Sequence, residues 1–336
     1  MRPQKMITAA ILATICYTLH ATEVGSQDKH SETAAHEPKG KAIIQIFTNF
    51  HSGFGSANDQ RGFDLDRSYL GYEYNLGKGL SIKGIMDIGK SSDVNDHQRI
   101  AYIKNAQVTW IHKKLILSGG LISMNQFSVQ EKFWGKRYIM KSFQDQYIFG
   151  HSADLGLSAS YRFADWITAD VTIANREGYK KVQVKDGMLY GTGIKLNPLK
   201  NFTLRLYGSI NQKTDDEEKD TYNISTFMGY KTPYISFGGE YNWMKNAKNI
   251  EHNNLHGVSV YVLTRLASFA HLFARYDQLF SLGEINRNQE ELSLMGGVEF
   301  KLGKYIKLAP NFRYIDEKHK NQAKTYMGYV SCYFGI

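Results

Sequence analysis

The chain has no apolar run long enough to cross a bilayer as a helix, and its mean hydropathy is −0.41. That excludes a bundle of transmembrane helices. It leaves room for a transmembrane barrel, whose strands are apolar on one side only. Proline is scarce, five in 336 residues, so long strands can run unbroken. There are two cysteines, Cys16 and Cys332. The first lies in a leader-like segment, and Ile15 before it is too large for a lipoprotein cleavage site. Cys332 is then alone in the mature chain, which excludes an internal disulfide and a cysteine metal site. The net charge is +9, yet no basic run has nucleic-acid motif spacing, so nucleic acid is not an expected partner. The longest charge run, Asp215-Asp216-Glu217-Glu218, is acidic and reads as a solvated loop.

What is present begins with a leader. Arg2 and Lys5 precede the short apolar stretch from Met6 to Tyr17, and Leu19-His20-Ala21 offers a cleavage site. Residues 1–21 are therefore expected to be a secretory signal peptide. Its removal takes away Arg2 and Lys5 and no acid, lowering the charge from +9 to +7. Residues 22–40 are polar and aperiodic and read as a flexible periplasmic extension. His30 and His36 lie there without ligand spacing, so no metal or other cofactor is expected.

From about Lys41 to Ile336 the pattern alternates with period two. In 154–163, Leu155, Leu157, Ala159, Tyr161 and Phe163 share one face, and Asp154, Gly156, Ser158, Ser160 and Arg162 the other. Sixteen such segments can be drawn, at 41–53, 65–76, 79–90, 99–111, 114–122, 152–163, 165–176, 187–197, 201–212, 221–231, 233–243, 255–265, 269–279, 290–302, 304–315 and 324–336. Their connections are short at one end (Gly77-Lys78, His112-Lys113, Ala164, Gly303) and longer and polar at the other. High aromatic content, 22 Tyr and 18 Phe, suits girdles at the two membrane surfaces. The expected fold is all-β: a transmembrane antiparallel β-barrel of about sixteen strands in the outer membrane of a Gram-negative cell. A soluble sandwich of this size would tend to split into domains. The last strand, ending Tyr333-Phe-Gly-Ile336, has an apolar outer face that resembles the signal read by the barrel assembly machinery, an expected partner, with Ile where Phe is usual.

One connection breaks the pattern. Residues 123–151, between the fifth and sixth segments, carry Phe127, Phe133, Trp134, Tyr138, Phe143, Tyr147 and Phe149. So many aromatics need a surface to bury against, and the inner barrel wall supplies one. The loop also holds Lys132, Lys136, Arg137 and Lys141 against Glu131 and Asp145. On a short helix, 132, 136 and 137 would lie near one face.

The chain resembles the phosphate-selective porin O and P family in Phe63-Asp-Leu-Asp-Arg-Ser-Tyr-Leu-Gly-Tyr72, Lys104-Asn-Ala-Gln-Val-Thr-Trp110, Ser118-Gly-Gly-Leu121 and Asp154-Leu-Gly156. The resemblance spans most of the mature chain, which is shorter than is usual in that family. The resemblance implies a homotrimeric channel whose third external loop folds inward to a constriction rich in lysine and arginine.

If the apolar phase faces lipid, the lumen carries Arg67, Lys83, Arg162, Arg176, Lys195, Arg205, Arg275, Lys301, Lys307 and Arg313. Against these stand Glu73, Asp87, Asp154, Asp170, Glu240, Asp277 and Glu299. Bases in a pore wall favour anions, while pairing with the acids would merely solvate it. The candidate anion-interacting set is Lys132, Lys136, Arg137 and Lys141 of the loop with Arg67, Lys83, Arg162, Arg205, Arg275 and Arg313 of the wall. The expected function is passive diffusion of small hydrophilic solutes with mild anion preference, phosphate among them. The expected partners are those solutes, outer-membrane lipids and lipopolysaccharide. No catalytic residue is expected: His252, His256 and His271 stand near no serine in a matching motif. Rival readings are a plugged barrel acting as an adhesin or structural protein, and a barrel-embedded lipid-modifying enzyme.

Overall fold

A computed structural model describes residues 39–91, 98–317 and 324–336. The expected leader 1–21 and most of the expected extension 22–40 lie outside the described residues, although Lys39 and Gly40 already belong to the first strand.

All sixteen alternating segments fold as strands: β1 Lys39–Phe54, β2 Arg61–Gly77, β3 Leu80–Lys90, β4 Arg99–His112, β5 Leu115–Ser123, β6 Ala153–Ala164, β7 Ile167–Ala174 and β8 Leu189–Leu196, then β9 Phe202–Asn211, β10 Thr221–Lys231, β11 Ile235–Lys245, β12 Leu255–Ala267, β13 Ala270–Ser281, β14 Glu291–Leu302, β15 Ile306–Glu317 and β16 Thr325–Gly335. Each pairs antiparallel with its sequence neighbours, and β1 closes on β16 with Phe47 opposite Tyr333 and Phe50 opposite Val330. Closure leaves no edge strand, which a bilayer demands, since an unpaired backbone group there has no water to bond.

The side-chain period of two then sorts the residues. Leu157, Phe163, Ile224, Leu206 and Phe312 point outward and are exposed. Asp170, Arg205, Asn242, Ser259, Asp277 and Ser331 point inward and are buried. An apolar exterior over a polar interior is the arrangement of a membrane-spanning barrel. The short turns are tight: at Gly79 (φ +79°) a Cβ would lie 2.0 Å from the Ile111 carbonyl oxygen, so glycine is required.

Two bulges matter for the interior. The β1–β2 register shifts between Phe47 and Thr48, and the β3–β4 register shifts between Ile85 and Met86. The second leaves Lys104 unpaired between Ile103 and Asn105. Both Lys104 and Asn105 therefore turn away from the lipid side that Ile103 occupies.

The chain between β5 and β6 forms two helices, α1 (Asn125–Trp134) and α2 (Phe143–Gln146). It folds against the inner wall. Phe127 packs with Ala174 and Leu189 at the ends of β7 and β8. Phe133 meets Phe227 of β10, and Trp134 meets Tyr261 of β12 and Phe273 of β13. Tyr138 reaches Phe47 of β1 and Tyr333 of β16. Higher up, Phe143 and Phe149 pack with Met244, Leu255 and Leu279 near the long-loop ends of β11 to β13. A segment touching strands this far round the barrel lies inside it.

Candidate functional site

The loop's route is fixed by its backbone needs. A chain that leaves the sheet carries carbonyls with no ladder partner, and buried ones need donors. Three wall arginines supply them. Arg205 donates to the Asn125 carbonyl at 3.3 Å, Arg275 to that of Lys141 at 2.7 Å and Arg313 to that of Ile139 at 2.7 Å. The indole N–H of Trp134 donates to the Met140 carbonyl at 2.7 Å, closing the loop's tip on itself. Gln126 donates to Gln144 at 2.6 Å and to the Phe149 carbonyl at 3.1 Å, tying the descending arm to the ascending one.

The helix expected to gather Lys132, Lys136 and Arg137 stops short. Gly135 adopts φ +61°, and its N–H bonds to the Glu131 carbonyl at 2.8 Å, so α1 ends at Trp134. Lys136 and Arg137 then diverge. Lys136 is buried, 2.9 Å from Glu299 of β14, whose other carboxylate oxygen accepts from the Tyr138 hydroxyl at 2.7 Å. Burial lowers the Lys136 pKa, and Glu299 opposes that shift. Arg137 turns the other way. It pairs with Asp145 and, at 3.3 Å, with Glu131, and its Nε donates to the Tyr69 hydroxyl at 3.2 Å. Burial pushes the Asp145 carboxyl up, but Arg137 and Lys141 outweigh it and hold it at about 2.

The expected bases thus fall into distinct groups. Arg67, Arg137, Lys141 and Arg313 line one cavity of about 240 Å³. It lies toward the long-loop side, since Glu291 and Ile315, at the long-loop ends of β14 and β15, also line it. Lys132 and Arg205 line a second, of about 230 Å³, together with Lys195 and Asp170. That one also touches Thr168 and Thr203 beside the short turns. A third hollow of about 470 Å³, at the short-turn end, is bounded by Phe133, Lys200 and Lys231. Arg137 of the upper cavity bonds to Glu131, the residue before Lys132 of the next one down.

Pairing quiets several of these charges. Arg205 forms a buried pair with Asp170, and Arg275 grips Asp277 through two bonds of 2.8 and 2.6 Å. Arg67 sits 3.2 Å from Asp87. Arg275 and Lys136 line none of the three cavities; the structure places both in the packing between loop and wall. Lys83 stands opposite Glu73, and Arg162 is exposed beside the short turn joining β6 to β7. Arg162 therefore lies near the short-turn rim, away from the loop's basic cluster, whereas Lys83 reaches the loop's root and donates to the Ser123 hydroxyl at 3.4 Å.

Two features escape a reading of the alternation. Lys104 reaches the Tyr69 ring at 4.5 Å and its hydroxyl at 3.1 Å, placing a fourth cation beside Arg67, Arg137 and Lys141. The bulge hides it, because strict period two assigns Lys104 a lumen place only if Asn105 faces lipid. The second is the set of aromatics on the inward phase, Phe47, Tyr69, Phe227, Tyr261 and Phe273, which form the loop's seat. Their signal is an apolar side chain in an otherwise polar phase.

No protein-family model matches the chain, and no curated protein matches it in sequence. Solved structures do share its fold. The anion-selective porin from Comamonas acidovorans superposes with a TM-score of 0.68 at 11% identity, over 89% of this chain and 100% of that one. The outer membrane channel DcaP of Acinetobacter baumannii gives 0.66 at 12%, over 92% and 100%. OmpT, an outer membrane protein of Vibrio cholerae solved in a trimer form, gives 0.62 at 13%, over 89% and 99%. The fold is that of an outer-membrane β-barrel.

Proposed function

We propose that this chain is a porin of the Gram-negative outer membrane that passes small hydrophilic solutes with a mild preference for anions. One observation carries the reading: basic side chains outnumber acidic ones in the lining of all three hollows. The upper cavity has Arg67, Arg137, Lys141 and Arg313 against Asp66 and Glu291. The middle one has Lys132, Lys195 and Arg205 against Asp170, and the lowest has Lys200 and Lys231 with no acid. An anion moving along this series meets, beside the paired arginines, cations that form no ion pair among the described residues: Lys141 and Arg313 above, Lys132 and Lys195 in the middle, Lys200 and Lys231 below.

The same reading takes lipopolysaccharide and membrane lipid as the surrounding partners, the barrel assembly machinery as the insertion route, residues 1–21 as an export signal, and a homotrimer as the assembly. The trimer form of the Vibrio cholerae protein supports the last by analogy of fold. No catalytic step is assigned. Phosphate is one candidate solute among small anions.

The test is the reversal potential of the purified protein in planar bilayers across a KCl gradient. Wild type should give discrete steps and an anion-directed potential. Replacing Lys132, Lys141 and Lys195 together by Gln should move that potential toward zero without abolishing the steps. Cation-directed wild-type steps would sink the anion preference and keep the pore. A folded barrel with no steps would favour the plugged-lumen reading, which the loop's apolar seat across β10 to β2 supports.

A further inference from the structure

The upper cavity has an uneven chemistry. Two of its four bases, Lys141 and Arg313, form no ion pair among the described residues. Lys141 is half-buried. Burial lowers its pKa; Asp145 opposes the shift, and Arg67 and Arg137 add to it. Arg313 donates from Nη2 to the Ile139 carbonyl and from Nε to Asn311 at 3.0 Å, and its guanidinium lies 3.9 Å from the centre of the Tyr329 ring. That leaves Nη1 without a hydrogen-bond partner among the described residues. The cavity also holds two acids, which accept hydrogen bonds from neutral donors: Asp66 from Asn49 at 2.7 Å, and Glu291 from the Tyr147 hydroxyl at 2.8 Å.

The rest of the lining is largely apolar. Phe47, Tyr138, Ile139, Met140 and Ile315 bound the same space. A volume of about 240 Å³ equals roughly eight waters at ~30 Å³ each. Inorganic phosphate would leave most of this surface unused and would lose hydration against it. A carboxylate on a hydrocarbon or aromatic body would use both parts, its head on a cation of the lining and its body on Phe47, Met140 and Ile315. We infer that this cavity is a binding station for small monocarboxylates with an apolar body, benzoate being the model ligand. The inference rests on the porin reading only in placing the station on the solute's path.

Titration calorimetry on the purified full chain in detergent tests it, with benzoate, inorganic phosphate and benzylamine at one ionic strength. Benzoate should bind about tenfold more tightly than phosphate, a difference near 1.4 kcal/mol, and benzylamine should not bind. Lys141→Gln should weaken benzoate severalfold. Met140→Asn should weaken benzoate and leave phosphate unchanged, with heat-modifiable mobility confirming that each variant is folded. Phosphate binding as tight as benzoate, or no benzoate binding by folded wild type, overturns the inference even if the barrel conducts. Because calorimetry needs no current, a barrel that binds benzoate yet shows no conductance would sink the porin reading alone.

Discussion

The inner wall has two arcs built from one alternation. From β10 round to β2, inward positions hold Phe227, Tyr261, Phe273, Met295, Phe47 and Tyr69, and the loop lies on them. Along β4 to β7 the same positions hold Gln107, Thr109, Ser118, Ser158, Ser160 and Thr168, all half-buried. Both arcs face the lumen and both are backed by an apolar exterior. The inward residues differ: the first arc sets large aromatics among buried polar side chains such as Asn242, Ser259 and Ser331 and seats the loop, and the second carries short, half-buried polar side chains. The lumen is thus filled unevenly, by the wall as much as by the loop.

The comparison can be broken most forcefully at Trp134, which is 1% exposed and touches two strands of the first arc. Trp134→Ala should weaken loop docking by about 3–5 kcal/mol. Protease should then cleave within 123–151, and single-channel conductance should rise. A smaller effect is expected at Gly229, where an added Cβ would lie 2.5 Å from the Phe133 ring. Gly229→Val should cost about 1–3 kcal/mol by overpacking and displace Phe133, read as noisier current and faster cleavage of the same segment. The smallest effect is acidic. Asp145 is held at about 2 against an ordinary 3.8, so the folded loop favours its charged form. That contribution is complete above about pH 4 and is lost as pH falls through 2. Loop fluctuations in the current record should therefore grow between pH 4 and 2. Asp145→Asn should show them at pH 7.

Much of this was legible in the sequence. The outer phase is uniform, because lipid accepts only apolar side chains, so Leu155 to Phe163 and its counterparts placed all sixteen strands. The loop announced itself by aromatics that had to be buried. The first arc was harder to read. Phe47, Phe227 and Phe273 sit in the phase expected to be polar, and a period-two pattern cannot say which inward residue faces water and which faces a folded-in loop. Lys104 was hidden by a bulge, a change of register that no local pattern marks. Lys136 and Arg137 were assigned to one helix face, but Gly135 turns the chain between Trp134 and that pair. Arg205, Arg275 and Arg313 stand in the sequence as candidate anion contacts or partners of wall acids, whereas the loop's unpaired carbonyls, which a sequence does not place, make them anchors.

Thiol accessibility tests the two-arc account most directly. In a Cys332→Ser background, single substitutions Ser118→Cys and Ser160→Cys place a thiol on the second arc, and Ser259→Cys places one on β12 beneath the loop, where the serine is fully buried. An anionic methanethiosulfonate added to open channels in a bilayer should lower the current of the first two and leave the third unchanged. Equal block at all three positions, or block at Ser259→Cys alone, would contradict the account.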